Sequence, residues 1–245
     1  MELSIIIPAY NEEKRLPPTL DRVLTFLSRN YNGSYELIVV DDGSSDETSQ
    51  SVEPFMQRFS QVRLIRLPKN KGRGIAVREG VGKAQGDFIL EMDADGSVDE
   101  EAIPRFVTYM KAHRDISLVI GSRNIKGSRI LVAQPFVRTV LGMIFFMLAR
   151  IMFGWDFRDR VNGFKMFRAS VAHDIFSHQR ETGFLAEAEI VVIAEQRGWK
   201  YELLPVLWTD NRDSRIRPFK ESWRSFWGMF QILTRKRAEI YARKT

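Results

Sequence analysis

The sequence predicts an α/β protein built on a mostly parallel sheet. Three observations carry this. Short apolar, β-branched runs alternate with amphipathic stretches through the first 120 residues. The runs break at Pro or Asp. The polar clusters gather just after the runs, where ligands of such sheets bind.

The elements follow in order. Ser4-Ile5-Ile6-Ile7 reads as a strand that stops at Pro8, and 17–29 as a helix with Leu20, Val23, Leu24 and Leu27 on one face. A strand over 35–40 stops at Asp41-Asp42-Gly43-Ser44. Helical spacing of Val52, Phe55, Met56 and Phe59 predicts a helix over 46–59, for which Ser45 and Asp46 are good N-caps. A strand over 62–67 ends at Pro68, a helix spans 73–84, a buried strand spans 87–92, a helix spans 99–112, and a strand follows over 116–120. Strand, helix and strand repeated in this way make a Rossmann-like layer covered by helices.

Composition narrows the chemistry. The 245 residues suffice for one large domain, and 44% hydrophobic with 28% charged residues describes a globular chain. Zero cysteines exclude disulfides, thiolate nucleophiles and Cys-ligated metal. Three histidines without a His-x-x-x-His pair argue against a histidine-built zinc site. The net charge of +6, with the excess after residue 120, calls for an anionic partner. No signal-peptide pattern is read at the N-terminus, which enters a strand directly.

Asp93-Ala94-Asp95 closes the fourth strand run. Residues i and i+2 of an extended chain point the same way, so the two carboxylates are expected side by side. Such a pair calls for a hard cation, Mg²⁺ or Mn²⁺, which shares its shell with phosphate oxygens. Two solvated turn carboxylates before Gly96 are the alternative. Further polar clusters stand at the other strand ends: Tyr10-Asn11-Glu12, Asp41-Asp42, and 70–74. Each could be a turn or a cap by itself. Lys71-Gly72-Arg73-Gly74 is no Walker loop, and Val77 occupies the third Gly position of a dinucleotide fingerprint.

Four segments together resemble the inverting family 2 glycosyltransferases with a GT-A fold: Ile6 to Glu13, Val39 to Asp46, Asp93-Ala94-Asp95, and Gly121-Ser122-Arg123. Asn162-Gly163-Phe164-Lys165 and Trp208-Thr209-Asp210 through Ser214-Arg215 narrow this to the polyprenyl-phosphate enzymes, the dolichyl-phosphate β-glucosyltransferases before the dolichyl-phosphate mannose synthases. The resemblance spans nearly the whole chain. It implies a nucleotide-sugar half over 1–122 and an acceptor half over 123–217 of a single GT-A domain. It implies that Pro8, Tyr10, Glu12 and Asp41 hold the base and ribose, with Asp42 nearby and Arg73 beneath the nucleotide. Asp93 and Asp95, flanking Ala94, would hold the metal, with Ser97 where mannose synthases place Gln. Arg212, Ser214 and Arg215 would close over the diphosphate, and Arg123 and Arg138 would hold the acceptor phosphate. Asp159, Glu187 and Glu189 also fall in family-like contexts. Asp159 could orient the acceptor or act as a base, or simply pair with Arg158 or Arg160.

The donor implied is UDP-glucose, with GDP-mannose as the alternative, and the acceptor is dolichyl or another polyprenyl phosphate. Transfer to a hydroxyl acceptor would require a base, with Asp159 and Glu187 as candidates. Two stretches, 135–155 and 218–234, read as amphipathic membrane-interface helices or as core helices. The uncharged part of the first falls short of the roughly 20 residues a spanning helix needs. In the second, Phe219, Trp223, Phe226, Trp227, Phe230 and Leu233 share one face, and Arg235-Lys236-Arg237 follows. These features predict a peripheral protein at the cytoplasmic face of a membrane. A non-catalytic nucleotide-binding adaptor is the non-enzyme alternative. Nucleic acid is not expected as a partner, since no recognition motif accompanies the basic residues.

Overall fold

The structure, a computed structural model, describes residues 1–132, 147, 150–151, 161–183, 185–209 and 218–242, with side chains unassigned at 131 and 218–226. The first part runs β1 (Leu3–Ala9), α1 (Leu16–Asn30), β2 (Tyr35–Asp41), α2 (Glu53–Arg58), β3 (Val62–Arg66), α3 (Arg73–Val81) and β4 (Phe88–Met92). It continues through α4 (Ala102–Ala112), β5 (Leu118–Ser122) and β6 (Arg129–Val132). The later elements are β7 (Phe164–Arg168), α5 (Ala169–His178), α6 (Ala186–Gln196), β8 (Tyr201–Pro205), β9 (Leu207–Thr209) and α7 (Pro218–Arg237).

The main sheet has the order β3-β2-β1-β4-β7-β5-β8, and β6 pairs with β9 in a small second sheet. All neighbours in the main sheet are parallel except β7, which runs antiparallel to both β4 and β5. Alternation divides the apolar side chains between two cores. Ile5, Ile7, Leu37 and Val39 join Leu20, Leu24, Phe106 and Met110 on the face of α1 and α4. Ile6, Ile38 and Val40 join Val77, Ile175 and Val191 on the face of α3, α5 and α6. Both faces are covered, as a parallel sheet requires.

Two sequence expectations are corrected. β1 does not stop before Pro8. Pro8 pairs in register with Val40, while pairing with β4 ends at Ile6, so the missing N–H falls where one flank is free of ladder bonds. The helix expected over 46–59 shrinks to a 3-10 turn at Gln50–Val52 and the short α2. Its first residues are drawn into loop bonds: Asp46 accepts from the Thr48 N–H at 3.1 Å and from its hydroxyl at 2.5 Å. In α7 the side chains of Phe219, Trp223 and Phe226 lie outside the described ones. Met229 and Ile232 are buried in the core, while Trp227 (58% exposed) and Phe230 (47%) stack on each other with centroids 5.8 Å apart. The described part of the helix thus packs one side into the core and leaves two rings exposed on another. No helix among the described residues is long and apolar enough to cross a membrane. The stretch 135–155 lies outside the described residues apart from Met147, Arg150 and Ile151, all exposed.

Candidate active site

β1, β2 and β4 are parallel, so the segments following them leave one edge of the sheet together. After β1, Tyr10 is 45% exposed. Asn11 takes a left-handed φ of 56°, which Asn tolerates, and its Oδ1 accepts the Ser45 N–H at 2.9 Å. Its own N–H donates to Ser44 Oγ at 2.9 Å, and the Glu12 N–H donates to Thr48 Oγ1 at 2.7 Å. These bonds lace the two loops into one wall. The Glu12 carboxylate accepts two bonds from Arg15, that from Nε at 2.6 Å.

Asp41 is fully buried and turned into its own loop, accepting from the Ser44 N–H at 2.8 Å and from the Ser49 hydroxyl. Asp42 accepts the N–H groups of Lys71 and Gly72, each at 2.8 Å. Burial raises the pKa of Asp42, and these two bonds oppose the rise. The two aspartates thus shape the rim from within, while Pro8 is buried beneath it. Beside them lies a cleft of about 320 Å³ lined by Gly43, Ser44, Arg66, Leu67 and Pro68.

The chain leaves β4 at Met92 and turns at Ala94 and Asp95, so strand alternation does not set the Asp93–Asp95 pair as the sequence had implied. Asp93 turns to Arg73, whose Nη2 and Nε donate to its Oδ1 at 2.7 and 3.2 Å. Asp95 accepts the Ser97 N–H at 3.0 Å and a bond from the Ser97 hydroxyl. Burial, followed by the charge of Asp93, raises the pKa of Asp95. Ser97 therefore orients the second carboxylate of the pair, a role that its weak ligating power had not suggested.

Behind the rim lies an ionic cluster that the sequence reading largely missed. Arg73 Nη1 donates to Glu91 Oε1 at 2.5 Å and to Glu187 Oε1. Lys165, fully buried, donates to Glu187 Oε2 and to the Asn162 carbonyl. Glu91 and Lys165 are register partners across β4 and β7. The second oxygen of Glu91 is buried without a hydrogen bond among the described residues. Burial lowers the pKa of Lys165 to about 8, with Glu91 opposing. Burial also works against the charge of Arg73, but Glu91 and Asp93 outweigh it and hold the guanidinium charged. A charge inside each of two apolar strands, Glu91 in Phe88–Met92 and Lys165 in Phe164–Arg168, was the available signal.

Beside the carboxylate loop, the Arg123 guanidinium lies 4.6 Å over the Trp208 ring. Trp208 is tied to the carboxylate loop: the Thr209 N–H donates to the Ser97 carbonyl at 2.8 Å, and the Leu207 N–H donates to Asp99 Oδ2 at 3.0 Å. Glu189 is not at the rim. It accepts the N–H groups of Arg180 and Glu181 on one oxygen and bonds Tyr241 and Arg235 with the other, clasping α7 onto α6. Both oxygens of Glu187 are taken by cations, which removes it as a base for a hydroxyl acceptor. Arg138, Asp159, Arg212, Ser214 and Arg215 lie outside the described residues.

The family model described as glycosyl transferase family 2 matches residues 4–176. The chain is 34% identical over 222 residues to a dolichyl-phosphate beta-glucosyltransferase, ALG5C, of Trichomonas vaginalis, covering 87% of this chain and 66% of that one. It is 32% identical over 228 residues to the dolichyl-phosphate beta-glucosyltransferase of Homo sapiens, covering 89% and 70%. The chain thus spans about two thirds of the length of these relatives. Among solved structures, glucosyl-3-phosphoglycerate synthase from Mycobacterium tuberculosis, in complex with Mn²⁺, UDP and glucosyl-3-phosphoglycerate, superposes with a TM-score of 0.67 at 18% identity, covering 96% of this chain and 79% of that one. Staphylococcus aureus TarS superposes with a TM-score of 0.64 at 18% identity, covering 96% and 65%. At such identities the structural likeness speaks for the fold, and the family model together with the relatives speaks for the kinship. The chain belongs to glycosyl transferase family 2 and is a glycosyltransferase.

Proposed function

We propose that this chain transfers glucose, with inversion, from UDP-glucose to dolichyl or another polyprenyl phosphate at a membrane surface. The observation that carries the reading is the Asp93–Asp95 pair on the rim above the ionic cluster. Glu91, Asp93, Asp95 and Glu187 set four carboxylates against two cations, Arg73 and Lys165. The two surplus negative charges match one divalent ion, Mg²⁺ or Mn²⁺. No three His, Cys, Asp or Glu side chains converge on a metal among the described residues, so diphosphate oxygens and water would complete the shell. When bound, the ion would neutralise charge developing on the leaving diphosphate.

The remaining work falls to the chain itself. The walls built from 10–13, 41–49 and 66–70 suit a base and ribose, with Tyr10 exposed above them. Ser97 holds Asp95 in place, and Arg73 holds Asp93. A phosphate monoester is already anionic near neutral pH, with a second pKa of about 6, so its oxygen attacks without a base. The new bond to the anomeric carbon forms opposite the breaking bond to the diphosphate, which inverts the centre. Arg123, backed by Trp208, offers a planar fork for that phosphate, and Arg138 would join it. In this reading residues 1–122 form the donor half and 123–217 the acceptor half. The relatives named as dolichyl-phosphate beta-glucosyltransferases support glucose and a lipid phosphate; a neighbour bound to UDP and Mn²⁺ supports a uridine donor. The exposed Trp227–Phe230 stack, with Arg237 exposed in the last turn of the same helix, supports a membrane surface.

The test is mass spectrometry of products from a polyprenyl phosphate offered with UDP-glucose or with GDP-mannose. Glucosyl lipid from the first donor alone is expected. Mannosyl lipid would reassign the donor, and no glycolipid from either donor would defeat the proposal.

A further inference from the structure

We infer that Glu187 is a positioning residue for the metal site: it competes with Asp93 for the Arg73 guanidinium and so leaves negative charge on Asp93 for a divalent ion. The inference rests on the assignment of Asp93 and Asp95 to the metal. Both bonds from Arg73 to Asp93 land on one oxygen, Oδ1, and the Asp93 side chain stays 46% exposed on the rim. A guanidinium facing a single carboxylate can instead grip both oxygens in parallel, its strongest mode. Here Asp93 meets only the Nε–Nη2 edge, and through Nη1 it shares the guanidinium charge with Glu91 and Glu187.

The competition is built into pinned backbone. Arg73 opens α3, whose start is held by the bonds of Asp42 to Lys71 and Gly72. The Gly74 N–H donates to the Thr182 carbonyl at 2.8 Å, fixing α3 against the segment that leads into α6. Glu187 lies in the first turn of α6. Its second oxygen is held by Lys165, which has no exposed surface and cannot swing away. Glu187 therefore stays aimed at Arg73.

The experiment measures Mn²⁺ binding by electron paramagnetic resonance at fixed UDP, without acceptor or turnover, for wild type, Glu187→Gln, Arg73→Gln and the double variant, with thermal unfolding of each. Glu187→Gln should lower Mn²⁺ affinity about tenfold, within the range for outer-shell partners of metal ligands. Arg73→Gln should raise the affinity. With Arg73 absent, removing Glu187 should change it less than about threefold, because interacting pairs are non-additive. A folded Glu187→Gln variant that binds Mn²⁺ like wild type overturns the inference. So does an equal loss in both backgrounds, which would mean that Glu187 does not act through Arg73. Arg73→Gln decides the question even if Glu187→Gln fails to fold, since no rise in affinity would exclude competition for Asp93. Failure of wild type to bind Mn²⁺ would overturn the metal assignment and this inference with it.

Discussion

Gly163 lies so close to Asp93 that a Cβ at that position would overlap both carboxylate oxygens, and the Arg73 guanidinium as well. The residue leading into the antiparallel strand β7 thereby sets where the first carboxylate of the rim can stand. Gly163→Ala should leave the fold intact and displace Asp93. With overpacking costs of about 1–3 kcal/mol, UDP affinity in the presence of Mn²⁺ should fall about ten- to hundredfold. Isothermal titration with UDP and Mn²⁺ checks this, and unchanged affinity would mean that Asp93 has room to move.

Asp95 is the second carboxylate of the rim, oriented by Ser97. Asp95→Ala should reduce metal-dependent transfer at least about a hundredfold, the scale of losing one preorganised group facing developing charge. Product formation at saturating Mn²⁺ measures it. A fully active variant would refute the metal assignment.

The clasp of Glu189 is a matter of stability. Tyr241, fully buried, donates its hydroxyl to Glu189 at 2.5 Å, and burial raises its pKa, so it stays protonated as a donor. Tyr241→Phe should cost about 1–3 kcal/mol, as for a hydrogen bond to a charged group. The melting temperature should drop by several degrees, while the KM for the donor stays unchanged.

Asp174 accepts from Arg197 Nε at 2.5 Å and from Trp199 Nε1 at 2.7 Å. Burial pushes its pKa up, but these bonds and the charge of Arg197 outweigh that and leave it below the ordinary 3.8. A carboxylate depressed in the folded state contributes stability that is full above its unfolded pKa and is lost as pH falls through the folded value. Asp174→Asn should therefore destabilise the protein at pH 7 and narrow its difference from wild type below pH 3.8. Urea melts across that window measure the difference.

Trp227 and Phe230 contribute exposed rings on a helix whose other side is buried. Replacing both by Ser should leave the melting temperature nearly unchanged, as exposed substitutions usually stay within about 0.5 kcal/mol. Flotation with anionic vesicles should show weaker binding than wild type. Equal binding would remove this side of α7 from the membrane contact.

Much of the first half of the chain was legible in the sequence because its signals are local. The apolar run in 35–40, helical spacing in 17–29 and the polar residues after each strand depend only on neighbours along the chain. The 46–59 helix failed for an equally local reason, since Asp46 and Thr48 prefer their own loop bonds. The resemblance added roles for Asp93, Asp95 and Arg123, but it cast Asp41 and Glu187 by position alone. The folded chain turns Asp41 inward onto Ser44 and Ser49, and buries Glu187 between two cations.

Taken alone, the sequence determined the parallel layer, the acidic rim and the kinship, because periodicity, turn chemistry and short motifs are written within a few residues of each other. Only the tertiary structure decided what stands behind the rim. Lys165 faces Glu91 because β7 enters antiparallel beside β4 in one register, and Arg73 reaches Glu187 across 114 positions because α3 and α6 cover the same face of the sheet. A buried charge must find its counter-charge wherever packing brings one, and that partner is chosen by the register of distant strands.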